Sequence, residues 1–199
     1  MAEYGLEKII HKKLDIDQKT YQLLESVNKI LVWHDLLYTN EDYPRWSVYF
    51  MALLNRCSHK VCEQICDRLN MPLKERSILM EKRYKAEKQL VLIEKASSYT
   101  GQDLYWALIG FKTEYILYMM ALATHEETRK SISNFYTRQR TVKPYIRGRD
   151  LMDLGLKPSP VFTVIFNQIL NEKLEGRLKT KKEELAFARE YARSNKFID

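Results

Sequence analysis

Four constellations in this 199-residue chain carry residue types that do chemistry. His34 and Asp35 are adjacent, with His11 upstream. Metal-dependent phosphohydrolases use such residues, converging imidazoles and carboxylates on cations. A His-Asp dipeptide also arises on any solvated or partly buried helix face, so a His-Asp phosphohydrolase is kept as an alternative function. Cys57, His59, Cys62 and Cys66 suggest zinc, which needs four ligands arranged as a tetrahedron. Cys62 and Cys66, however, share a helical stripe with Ile65 and Leu69, where a free thiol packs as a small hydrophobe. Asp15 and Asp17 have the spacing of a carboxylate pair that holds Mg²⁺ for nucleotidyl transfer. That chemistry also needs a phosphate cradle, commonly Gly-rich and upstream, and only one glycine, Gly5, precedes Asp15. Helix capping is the preferred reading of Asp17.

The fourth constellation is basic. Between Glu126 and Arg149 lie Arg129, Lys130, Arg138, Arg140, Lys143, Arg147 and Arg149, opposed by Glu126 and Glu127 and interleaved with Phe135, Tyr136 and Tyr145. Guanidinium groups fork onto phosphate oxygens, and aromatic rings stack on bases or sugars. A second group, Arg177, Lys179, Lys181 and Lys182, sits at the mouth of the last helix. Such contacts position a nucleic acid without reading its sequence. No catalytic nucleophile elbow, phosphate loop or dinucleotide fingerprint occurs.

The elements that must hold these groups are helical almost throughout. Apolar residues recur at 3.6-residue spacing, and the chain has just 6 Gly and 5 Pro. Asp17 caps a helix through Leu31 to Leu37, Pro44 opens the next, Ser58 caps a third, and a charged helix runs over roughly 72–97. After a break at Thr100-Gly101 come helices over 102–109, 112–124 and 126–140. The segment Thr141 to Gly148 then breaks the pattern. Beyond it the spacing predicts a short helix from Asp150 to Leu154 and a Gly155 stop. A longer helix to about Glu175 follows, then a Gly176 stop and a last helix opened by the capping box Thr180 to Glu183. The fold class is all-α, an array of about ten helices, with a helical body over 1–141 and a small helical tail over 142–199.

Bulk properties agree with that reading. The chain is 45% hydrophobic and 30% charged, enough for a packed core and too apolar for a disordered tail. Its net charge of +7 suits a polyanion. Three clustered cysteines form no disulfide framework, and neither a leader nor an 18-residue apolar run is seen. A cytoplasmic protein without membrane contact is expected.

One segment goes further. Arg147-Gly148-Arg149-Asp150-Leu151 is followed by Gly155-Leu156-Lys157-Pro158-Ser159-Pro160, a helix closed by Gly176, and Thr180-Lys181-Lys182-Glu183-Glu184. This order resembles the C-terminal end of bacterial tRNA nucleotidyltransferases and poly(A) polymerases. That family shows a Gly-x-Asp-Leu, a Gly-Leu, a Pro-Gly-Pro turn, a Gly-closed helix and a Thr-capped last helix. More loosely, 33–38, 45–54 and the helix after Pro72 resemble the helical body of the longer members, which carry DHH-type phosphoesterase and CBS modules upstream. The family's catalytic head, with its Asp-x-Asp pair, has no counterpart here. Glu41-Asp42-Tyr43-Pro44-Arg45 matches by letter the neck element that selects the nucleotide, but Pro44 would start a helix inside it.

The resemblance implies a body and tail that hold tRNA or another RNA 3′ end for a head elsewhere in the polypeptide. No cofactor is expected in this chain, since Mg²⁺ and nucleoside triphosphate would belong to the head, and a homodimer is possible. The candidate RNA contacts are Arg138, Arg140, Lys143, Arg147, Arg149, Lys157, Ser159, Lys179, Lys181 and Lys182. Ser159 stands where the family has Gly and offers a hydroxyl to phosphate. The helix after Pro160 is expected to present free amides to the same ligand. The rival class is a helical protein-interaction or dimerisation module, with Tyr105, Trp106, Phe111 and Tyr115 as its apolar patch.

Overall fold

The computed structural model describes residues 6–96 and 100–198. The N-terminal residues on which the absence of a leader was read, and Ser97 at the end of the charged helix, lie outside that range. The described residues are helical with no strand, as the periodicity requires. In order they form α1 (Leu6–Ile10), α2 (Gln18–Asp35), α3 (Arg45–Leu53), α4 (His59–Arg68), α5 (Leu73–Ser77), α6 (Arg83–Lys95), α7 (Gly101–Leu108), α8 (Thr113–Leu122), α9 (Glu126–Asn134), α10 (Gly148–Asp153), α11 (Val161–Leu174) and α12 (Lys181–Ser194). A π-helical turn, Ile78–Lys82, joins α5 to α6, and a second, Phe135–Gln139, extends α9.

Helix starts follow local chemistry. Asp17 accepts the Thr20 amide and caps α2. Its carboxyl lies well below the usual range, held there first by Arg56 and then by that amide. Ser58 accepts from Val61, and Thr180 and Glu183 form the expected reciprocal box at α12. Glu183 takes the Lys179 and Thr180 amides, which lower its pKa. Gly155 (φ +94°) and Gly176 (φ +75°) end α10 and α11. In each case the following amide, Leu156 or Arg177, reaches back to the carbonyl of Leu151 or Glu172. That six-to-one bond needs a left-handed residue, which glycine adopts without a Cβ penalty.

The chain divides into two compact units: Met1–Ser98 with Ala107–Ser133, and Tyr99–Trp106 with Asn134–Asp199. The break read between 141 and 142 therefore falls inside the second unit. In the first unit α8 is the central rod. Every residue from Thr113 to Ala121 is buried, and α2, α3 and α6 pack around it. A helix that is apolar on all sides must be buried on all sides. Its Tyr118 carries a polar group into the core and satisfies it there. The hydroxyl donates to Glu87 (2.7 Å) and accepts from Asn55 (3.0 Å). Burial, then the Glu87 carboxylate, pushes its pKa far up, so it stays protonated.

The second unit has its own core of Ile146, Leu151, Leu156, Ile165, Ile169, Ala188 and Ala192. These come from the 141–147 segment, α10 and the turn after it, α11 and α12, so the irregular stretch around Pro144 is part of the packing.

Candidate nucleic-acid interface

The residues weighed for metal chemistry are engaged in packing and pairing. His34 is buried, with Nε2 3.2 Å from the Thr39 hydroxyl and its ring edge-on to Tyr43. Arg45 donates a single nitrogen, Nη1, to both carboxylate oxygens of Asp35 (2.7 and 2.9 Å), which lowers the Asp35 pKa. His11 lies 3.0 Å from Gln64 instead of facing His34. Among the described residues no three His, Cys, Asp or Glu side chains gather where they could hold a metal ion. Cys62 and Cys66 are core residues of α4, as their stripe predicted. Cys57 and then Arg83, whose Nη2 is 3.5 Å from Cys62 Sγ, hold the Cys62 thiol below its usual pKa.

Building the basic surface starts from an acidic residue. Glu184, fully buried in the first turn of α12, accepts the backbone amides of Tyr145 (2.7 Å) and Ile146 (3.0 Å) on Oε2. On Oε1 it accepts Lys173 Nζ of α11 at 2.6 Å, and that ammonium also sits 3.3 Å from the centroid of the Tyr145 ring. The carboxylate thus pins a loop that has no repeating backbone bonds of its own onto two helices. Sequence reading had placed Glu184 inside the family motif without a role. Nothing local marks it, because its partners lie 11 and 38–39 residues away.

This clip fixes where the next residues point. Arg147 caps α10, and its amide donates to Asp150 at 2.6 Å. Asp150 also receives Lys181 Nζ at 2.8 Å, which ties the start of α12 to the start of α10. Lys181 first, then the Arg147 amide, holds the Asp150 carboxyl below its usual pKa. A Cβ on Gly148 would lie 3.6 Å from the Phe162 ring, so the first turn of α11 comes alongside as well. The beginnings of α10, α11 and α12 therefore converge.

Around that point the structure brings together Arg147, Arg149 and Lys181, with Lys182 and Lys179 on the adjoining turn and Ser159 just ahead of Phe162. Arg147, Arg149, Lys157, Lys179 and Lys182 are exposed, and among the described residues none of their side chains has an ion-pair partner. Lys181 is different, being shared with Asp150. Arg177 of the second sequence cluster is taken up by Glu172 in a two-armed pair that lowers the Glu172 pKa. Lys143 is exposed on the clipped loop. The contacts that gather the cluster do not reach Arg138 and Arg140, which belong to the end of the π-helical turn after α9. Arg138 is exposed there, and Arg140 lies over the Tyr136 ring at 5.1 Å. Arg129 and Lys130 pair with Glu126 and Glu127, three residues away.

Two expectations are corrected. The start of α11 is not an open set of amides. The Phe162 and Thr163 amides already donate to the Ser159 and Pro160 carbonyls (3.0 and 3.1 Å), because the chain enters the helix through a tight turn. Nor are the aromatic residues offered for a protein-interaction patch all on the surface. Tyr105 and Tyr115 are buried and Phe111 is half-buried, while Trp106 stays 43% exposed and donates its indole N–H to Asn171 at 2.7 Å. Tyr105 packs edge-on to Phe135 inside the second unit.

No family model matches the chain. It is 32% identical over 192 residues to the A-adding tRNA nucleotidyltransferase of Geobacter sulfurreducens, covering 94% of this chain and 22% of that protein. Over 71 residues it is 37% identical to the A-adding tRNA nucleotidyltransferase of Halalkalibacterium halodurans, covering 36% of this chain and 17% of that protein. The chain thus spans about a fifth of the length of these curated relatives. Among solved structures, a tRNA-processing enzyme in an apo form superposes with a TM-score of 0.63 at 20% identity, over 85% of this chain and 42% of that one. A tRNA-processing enzyme complex gives 0.62 at 19% identity, over 94% and 43%. At that identity the superpositions concern the fold. No helix among the described residues is long and apolar enough to cross a membrane.

Proposed function

The chain belongs to the tRNA nucleotidyltransferase family as a helical region of it, and on that basis we propose that its second unit holds tRNA and presents the 3′ end to a catalytic head. The observation that carries the reading is the group of exposed cations Arg147, Arg149, Lys179 and Lys182, without ion-pair partners among the described residues and gathered on a loop and a helix end that Glu184 makes rigid. Rigid placement matters because a phosphate contact made by a preordered side chain loses less entropy on binding. Lys157 and the Ser159 hydroxyl extend the same surface along the turn before α11. Lys143, Arg138 and Arg140 offer a second stretch for the sugar-phosphate chain. These residues grip and orient. Bond formation, with its Mg²⁺ and nucleoside triphosphate, belongs in this reading to the head.

The test is the salt dependence of tRNA binding. Each phosphate contact releases counterions, so log K falls linearly with log salt. Replacing Arg147 and Arg149 with Ala should weaken binding and reduce the magnitude of that slope by roughly 1.5–2, two contacts' worth. Circular dichroism should remain unchanged, since neither side chain holds the fold. A folded double variant with wild-type affinity and slope overturns the assignment.

A further inference from the structure

The three cysteines are free, belong to the first unit, and lie outside everything the RNA reading of the second unit uses. Two of them form a pair. Cys57 stands in the bend between α3 and α4, where its amide donates to the Leu54 carbonyl. Cys62 follows near the start of α4, and its amide donates to the Ser58 carbonyl. This path folds one thiol back onto the other. The two side chains hydrogen-bond, and Cys62 Sγ is 3.7 Å from the Cys57 carbonyl oxygen. Cys66, one turn further along α4, is packed in the core stripe.

A buried cation makes the two sulfurs unequal. The Arg83 side chain is 7% exposed. Its Nη1 donates to the Leu54 carbonyl, and its Nη2 lies 3.5 Å from Cys62 Sγ. Its Nε, 3.7 Å from Glu87 Oε1, is buried without a hydrogen-bond partner among the described residues. That carboxylate oxygen already accepts from Tyr118 and Asn55. A buried guanidinium with one stretched counter-charge favours a second anion beside it, and Cys62 occupies that place. Cys57 first, then Arg83, favour the ionised form of Cys62. The same hydrogen bond, then burial, keeps the proton on Cys57. Cys62 is fully buried and Cys57 half-buried. The sulfur that solvent reaches therefore holds the proton, and the sulfur beneath it holds the charge.

We propose that Cys57 and Cys62 are a modification site for small hydroperoxides, which oxidise the pair to an intramolecular disulfide. The shared proton passes from Cys57 to Cys62 as Cys57 Sγ attacks the hydroperoxide ROOH. The O–O bond breaks, an S–O bond forms, and the departing alkoxide takes the proton from Cys62 to leave as ROH. Cys57 is then a sulfenic acid and Cys62 a thiolate again. Cys62 attacks the Cys57 sulfur. The S–S bond forms, the S–O bond breaks, and the hydroxide released takes a proton from solvent to become water. Each sulfur gives up one electron, and the peroxide bond takes both. A thiol reductant reverses the link by exchange. Such reversible disulfides suit a compartment that otherwise keeps thiols reduced.

Peroxide treatment of the folded chain, followed by alkylation and peptide mass mapping, tests the proposal. The expected product is one link between Cys57 and Cys62, with the loss of two hydrogens, Cys66 still free, and both thiols recovered in dithiothreitol. Cys66→Ser should leave that product unchanged. Cys62→Ser should halt at the Cys57 sulfenic acid, which dimedone traps. Cys57→Ser should leave the buried Cys62 unmodified at the same peroxide dose. Circular dichroism verifies that each variant is folded, and the mapping of the parent chain decides the matter by itself if one is not. Unlinked Cys57 sulfenic acid accumulating in the parent, a link to Cys66 or to a second chain, a link that forms only in denaturant, or no oxidation at millimolar peroxide overturns the proposal.

Discussion

Replacing Glu184 with Ala is the sharpest probe of how the second unit holds its basic surface. The substitution removes an acceptor from Lys173, whose side chain is 8% exposed, and from the Tyr145 and Ile146 amides. Breaking a buried ion pair from one side costs about 3–5 kcal/mol, because the remaining charge is stranded. Each orphaned amide adds about 1–3 kcal/mol unless water enters. Water that rescues one group rescues its neighbours, so the costs overlap, and about 4 kcal/mol is the expected total. Against a domain stability of about 5–15 kcal/mol that is a large fraction. For a domain of this size it corresponds to a melting shift of about 16 °C or more. Lys173→Met should cost less, since the carboxylate would keep its two amide donors. The assays are denaturant unfolding and hydrogen exchange at the Tyr145 and Ile146 amides, which should lose protection in Glu184→Ala before the core does. Glu184→Ala within 1 kcal/mol of the parent, or Lys173→Met more damaging than Glu184→Ala, would refute the reasoning.

Two further predictions concern the same unit. Gly155→Ala should destabilise it by about 1–2 kcal/mol through backbone strain alone, because φ is +94° and no atom lies within 4 Å of the added Cβ. Thermal melting measures this, and a neutral result would mean that the left-handed turn is not required. The Asp150 pKa is depressed in the fold, so its link to Lys181 contributes stability above the unfolded carboxylate value of about 4 and loses it as pH falls through the lower folded value. NMR shifts around Arg147 to Asp150 should therefore hold from neutrality to about pH 5 and move only below the ordinary carboxylate range. A transition near pH 6 would contradict the pairing.

The sequence by itself determined the local features of this chain. Asp17, Ser58 and Thr180 cap helices through bonds three residues long, and Gly155 and Gly176 end helices through backbone geometry. Each signal is complete within one turn, so it is readable in one dimension. The resemblance of residues 147–184 was readable for the same reason, being an ordered run. What only the tertiary structure decided are the partners of long charged and aromatic side chains. Arg177 and Arg147 look alike in the sequence and both are exposed, yet one is held by Glu172 and the other has no ion-pair partner among the described residues. Tyr105 and Tyr115, which the rival reading needed on the surface, are buried in the core. The turn at Ser159 and Pro160 consumed amides that a helix start was expected to leave open. Glu184 depends on groups that are distant in the chain. A carboxylate or hydroxyl takes whichever donor the packing brings within 3 Å, and helical periodicity says which face is buried without saying what lies across from it.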